Sequence, residues 1–106
     1  MPTTLKILGQ VMPAAGVTTT LCGSALQITI SSVVFCNTGG NATTVRLAVS
    51  AAGTDLDKEF IYHDLPLAAH DTFIATIGIT IGNANVLRCS SGNGLVAFNA
   101  FGVEVS

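Results

Sequence analysis

The chain has 106 residues, 9% of them charged, with a formal net charge of −2 and three cysteines. Average soluble domains are about 25% charged, so this surface must be built largely from Thr, Ser, Asn, Gly and small apolar side chains. Neighbours in an assembly tolerate such a surface better than a free monomer does. The four basic residues, Lys6, Arg46, Lys58 and Arg88, are scattered and form no patch, which argues against direct nucleic-acid binding. No apolar run approaches the ~18 residues of a membrane span.

Taken in order, Met1–Gln10 (MPTTLKILGQ) lacks the long apolar core of a secretory signal, and Thr3–Gly9 alternates weakly, as a short strand. A second strand is expected at Val17–Cys22. In Ala25–Cys36, Leu26, Ile28 and Ile30 point inward and Gln27 and Thr29 outward, until Ser31-Ser32 marks a bend; Val33, Val34 and Phe35 are then apolar on both faces. Thr43–Ala51 alternates strictly, with Val45, Leu47 and Val49 on one face and Thr44, Arg46 and Ser50 on the other. Further strands are expected at Lys58–Asp64, Thr72–Ile81, Asn85–Ser90 and Leu95–Val105.

Turn chemistry separates them, at Asn37–Asn41, Ala52-Gly53-Thr54-Asp55, Gly82-Asn83 and Ser91–Gly94. No window has the apolar stripe of a long helix. The pattern predicts an all-β chain: a single-domain antiparallel β-sandwich, jelly-roll-like, with about seven or eight short strands. The domain spans residues 1–106, and residues 1–20 are expected to act as an N-terminal contact arm.

One stretch gathers the polar chemistry. IYHDLPLAAHDTF (Ile61–Phe73) holds both histidines of the chain, each followed by an aspartate. His63, Asp64, His70 and Asp71 are acceptable ligand types for zinc. Pro66, however, should take the chain out of its sheet between the two pairs, and no spacing forces the two rings together. The better reading is a polar corner, with Asp71 capping turn amides through its carboxylate. No strained-turn nucleophile signature such as G-x-S-x-G is present. The glycines of Gly39-Gly40 and Gly92-x-Gly94 lead into strands, whereas a phosphate cradle opens a helix. A non-enzymatic chain without cofactor or metal is therefore expected. Tyr62 is the one aromatic expected at the surface, where it would serve a carbohydrate-binding module.

The runs SSVVFCNTGGNATTVRLAV (Ser31–Val49), IYHDLPLAAHDTFIATIGITI (Ile61–Ile81) and FNAFGVE (Phe98–Glu104) resemble a family of small structural proteins of tailed bacteriophages. The shared features are a strand ending in a Cys-Asn-Thr-Gly turn (Cys36–Gly39), a strand with a central arginine (Arg46), and a corner made by Tyr62, Asp64 and the run His70-Asp71-Thr72-Phe73. This chain has His70 where those proteins carry Asn. The resemblance runs from about Ala25 to the end.

It implies a virion component assembled in the host cytoplasm, a capsid decoration (cement) protein contacting the major capsid protein or other virion proteins, as a trimer or dimer. The alternatives are a tail, collar or fibre-attachment component, or a carbohydrate- or receptor-binding sandwich. The resemblance carries over no catalytic residue. The three cysteines are expected to be free thiols of a reducing cytoplasm; their odd count leaves room for the alternative of an intermolecular disulfide in released particles, for which Cys22, flanked by turn residues, is the candidate.

Overall fold

The computed structural model describes residues 3–23, 27–50, 59–82 and 85–105. Leu26, the Ala52–Asp55 turn, Lys58 and Asn83 lie outside these. Nine strands follow one another: β1 (Thr3–Val11), β2 (Thr19–Gly23), β3 (Gln27–Asn37), β4 (Thr43–Ser50), β5 (Phe60–Leu67), β6 (Thr72–Ala75), β7 (Ile79–Gly82), β8 (Val86–Ser91) and β9 (Val96–Val105). Every pairing is antiparallel. One sheet runs β1-β9-β3, with β6 and β7 both on the far edge of β3; the other runs β2-β8-β4-β5. With β6 and β7 taken as one interrupted strand, two four-stranded sheets interleave their strands in the jelly-roll order.

The interruption has a local cause. The register between β3 and β9 slips between Ile30 and Ser32, so Ser31 is an extra residue, and its hydroxyl donates to the carbonyl of Phe101. A bulge bends its strand. The first half of β3 therefore pairs with β7 and the second half with β6. The strand expected over Thr72–Ile81 breaks opposite that bend, at Thr76–Gly78.

Period-two alternation drives the burial. Ile28, Ile30, Val33 and Phe35 of β3, Val45 and Leu47 of β4, Leu87 of β8 and Phe98 of β9 are completely buried between the sheets. Burying a side chain of this size stabilises the fold by roughly 1.5–3 kcal/mol relative to leaving it exposed. Phe35 sits at the centre, with its ring 5.3 Å from Phe98, 5.8 Å from Phe73 and 5.8 Å from Tyr62.

β1 is paired with β9 from Thr3 to Val11, with a register slip between Ile7 and Gly9, so this part of the N-terminal segment is a strand of the sandwich. Gly9 closes this corner, since a Cβ there would collide with the carbonyl of Leu21 on β2. One expectation is corrected here: Pro66 does not end its strand. It stays in β5 opposite Thr44, because β5 is an edge strand and the amide that proline lacks has no ladder partner to serve.

Candidate functional site

Four connections close one end of the sandwich: residues 12–18 between β1 and β2, 38–42 between β3 and β4, 68–71 between β5 and β6, and 92–95 between β8 and β9. They are tied together through Asn37, the last residue of β3, which is fully buried. Its side-chain amide donates to the carbonyls of Asn41 (2.9 Å) and Ala68 (3.1 Å). Its side-chain oxygen accepts from the amide of Gly39 (3.0 Å) and from Nδ2 of Asn93 (3.3 Å). All four hydrogen-bonding positions of a carboxamide are thus used, and three loops meet on one residue.

Backbone bonds add to the junction: Thr38 to Leu95, His70 to Gly39 and Gly16 to Ser91. Gly94, with φ of +71°, is packed so closely against Ala15 that a side chain there would be strained twice over, by conformation and by space.

The two His-Asp pairs belong to different structures. His70 and Asp71 form the β5–β6 turn, closed by the bond from the Asp71 amide to the carbonyl of Ala68 (3.2 Å). His70 occupies the left-handed region, with φ of 58°. Asp71 accepts from the Thr72 amide at 2.9 Å, the expected capping role. Asn is the non-glycine residue most at ease in the left-handed conformation.

His63 and Asp64 lie instead in a bulge of β5. Between the pairs Val45–Leu65 and Leu47–Tyr62, β5 advances one residue more than β4, so both stand against Arg46. Asp64 is also left-handed, with φ of 56°. This aims its carboxylate at Arg46, with Oδ1 accepting from Nε at 2.7 Å and Oδ2 from Nη2 at 3.2 Å. The hydrogen bond to the guanidinium holds the Asp64 carboxyl below its ordinary range and pushes Arg46 up. The Arg46 guanidinium also lies 5.9 Å from the centre of the Phe60 ring, and His63 meets the same ring edge-on at 4.8 Å.

Among the described residues no three His, Cys, Asp or Glu side chains gather closely enough to share a metal ion. A surface groove of about 250 Å³ does open beside Arg46 and Asp64, lined by Thr18, Thr44, Ser90 and Ser91. Its polar walls are hydroxyls and the Arg46–Asp64 pair.

The structure corrects two further expectations. Tyr62 is not a free surface aromatic: its ring packs edge-on against Phe35 and Phe73 and leans on the core. Cys22 is not at an exposed turn either. It is only 5% exposed, because β2 is bulged between Thr20 and Cys22, which places both Leu21 and Cys22 in the core. Burial pushes the Cys22 thiol up to about 11 and that of neighbouring Cys89 to about 12. An intermolecular disulfide through Cys22 would require β2 to detach first. Cys36 is the half-buried thiol of the three.

The residue that sequence reasoning passed over is Asn37. Its signal was present in the Asn-Thr-Gly turn, but nothing in a one-dimensional pattern says that a turn asparagine is buried. The scan against protein-family models matched none, and no curated protein is similar in sequence to the chain.

Proposed function

We propose that this chain is a non-enzymatic structural protein of a virion, a capsid decoration protein that binds a shell in many copies. The observation that carries the reading is where the polar chemistry goes. Asp71 and Asn37 are spent on holding loops, and Asp64 is spent on Arg46, so the surfaces left for function are broad sheet faces with few charges. The resemblance of Ser31–Val49, Ile61–Ile81 and Phe98–Glu104 to small phage structural proteins is the second support for this reading. A rigid jelly roll with little charge suits dense packing, since neighbours meet without the repulsion that keeps most soluble domains apart.

The experiment is electron cryomicroscopy of the parent particle. Many copies tiled over the shell would support decoration. A small ring at the neck or baseplate would transfer the reading to tail architecture, and absence from the particle would overturn it. One observation favours a different reading, a carbohydrate-binding module: the hydroxyl-lined groove beside Arg46 and Asp64. Saturable binding of a glycan, abolished by Arg46→Ala, would establish it in place of the structural one.

A further inference from the structure

The two outer faces of the sandwich differ in charge. On the β2-β8-β4-β5 sheet the face carries Arg46, Asp64 and His63, all exposed. The outer face of the other sheet can be followed from the register. Gln10, Asn99, Val34 and Ile74 form one row across β1, β9, β3 and β6; Ile7, Phe101 and Ser32 form a second; Val103, Thr29 and Thr80 form a third. No charged side chain stands in these rows. Ile74 is 63% exposed and Ile7 52%, and neither they nor Val34, Phe101 or Val103 belong to the core cluster.

We infer that this face is the contact surface between two copies of the chain, packed sheet against sheet about a two-fold axis. In a two-fold interface a patch meets itself. A charge near the axis would face its own like, and one farther out would need an opposite charge on the same patch or be buried unpaired, at a cost of several kcal/mol. A face without charges escapes that penalty, whereas a partner recognised by ion pairs would find nothing on it to pair with.

The size agrees. β3 is 11 residues long, and at about 3.3 Å per residue and 4.8 Å per strand the four-strand width gives roughly 36 by 19 Å, about 700 Å² in plane. Side-chain relief raises the accessible area toward the ~800 Å² per partner of a stable interface. Thr29 and Thr80 are bonded to each other at 3.2 Å, which uses one of their two hydroxyl protons within the chain. The inference deepens the multimeric part of the proposed function and rests on it only for its biological setting.

The test uses the purified full chain and its own Cys36, which pairs with Ala97 and Thr72 in register and so lies on this face. Sedimentation should show a dimer, and alkylation of Cys36 by a maleimide should slow as protein concentration rises. Ile74→Lys alters a side chain outside the core. It should weaken dimerisation by at least about tenfold, free Cys36 at all concentrations and leave the circular dichroism spectrum unchanged, while Ile61→Lys on the opposite sheet should change neither reading. A monomer at every concentration, or equal loss of association with Ile61→Lys, would overturn the inference. A monomer that still decorates shells would overturn this inference alone and leave the virion reading in place.

Discussion

Asn37 and the Arg46–Asp64 pair are both joined to their surroundings by several polar contacts, and they are connected in opposite settings. Asn37 is neutral, completely buried and bonded to four partners on three loops. Arg46 and Asp64 are charged, and their side chains are 44% and 46% exposed. The difference shows that connectivity alone does not measure importance. A buried amide that loses its partners strands them away from water, at about 1–3 kcal/mol for each group left unpaired. An exposed ion pair that is broken hands both groups back to solvent, which accepts them readily.

The sharpest way to break this comparison is Asn37→Ala. It leaves the carbonyls of Asn41 and Ala68 and the amide of Gly39 without their partner, and the expected loss is about 3 kcal/mol or more by urea denaturation. Asn37→Asp should lose as much at neutral pH. It keeps the accepting oxygens but turns the donors that faced two carbonyls into a buried negative charge. A loss below about 1 kcal/mol for either variant would mean that water replaces the side chain and that the junction is looser than its geometry.

The same contrast extends to titration. Cys22 and Cys89 are buried and their thiols are raised to about 11 and 12 from an ordinary value of 9.0. When a folded-state value lies above the unfolded one, the unfolded chain releases its protons first as pH rises. The contribution of these two thiols should therefore be level below pH 9.0, fall above it, and go on falling until the folded thiols ionise too. The Cys22→Ala/Cys89→Ala double variant starts from a lower stability and should show a flatter alkaline limb. An unchanged limb would assign the alkaline loss to other groups.

How far the sequence foretold these features follows from the kind of signal each one leaves. Strict alternation, as in Val45–Arg46–Leu47, marks a half-buried strand without further information, because the pleat alone converts it into two faces. The sandwich class, the Ser31 bend and most strand limits were legible for that reason. Burial of a single polar or small residue is not periodic. Cys22 beside Gly23 reads as a turn until β2 is seen to bulge, and Asn37 reads as turn chemistry until two other loops are seen to close over it. Pro66 misleads in the same manner: whether proline ends a strand depends on whether that strand has a neighbour on both sides, which is a fact of topology. The His-Asp repeat drew attention because its residue types are reactive, yet its two halves answer to separate backbone needs, a turn at His70 and a bulge at Asp64.

That separation predicts smaller effects. His70→Asn should stabilise the protein by roughly 0.5–1 kcal/mol, because asparagine takes the left-handed conformation at less cost than histidine and the His70 side chain is exposed. A destabilised His70→Asn variant would show that the imidazole makes a contribution that its backbone conformation does not explain.

The smallest change belongs to Arg46→Ala. The Asp64 carboxyl is held below its ordinary value by the Arg46 hydrogen bond, so its contribution is present above the unfolded carboxyl pKa and is lost as pH falls through the folded one. Removing Arg46 should therefore change the melting temperature at neutral pH no more than a surface control does, and the difference from wild type should vanish at acid pH, where Asp64 is protonated in both. High salt should shrink the neutral-pH difference further, since both groups face solvent. A large loss that persists at low pH would place the role of Arg46 elsewhere, in its packing against the Phe60 ring. The β5 edge would then be held by an aromatic contact, with the ion pair resting on it.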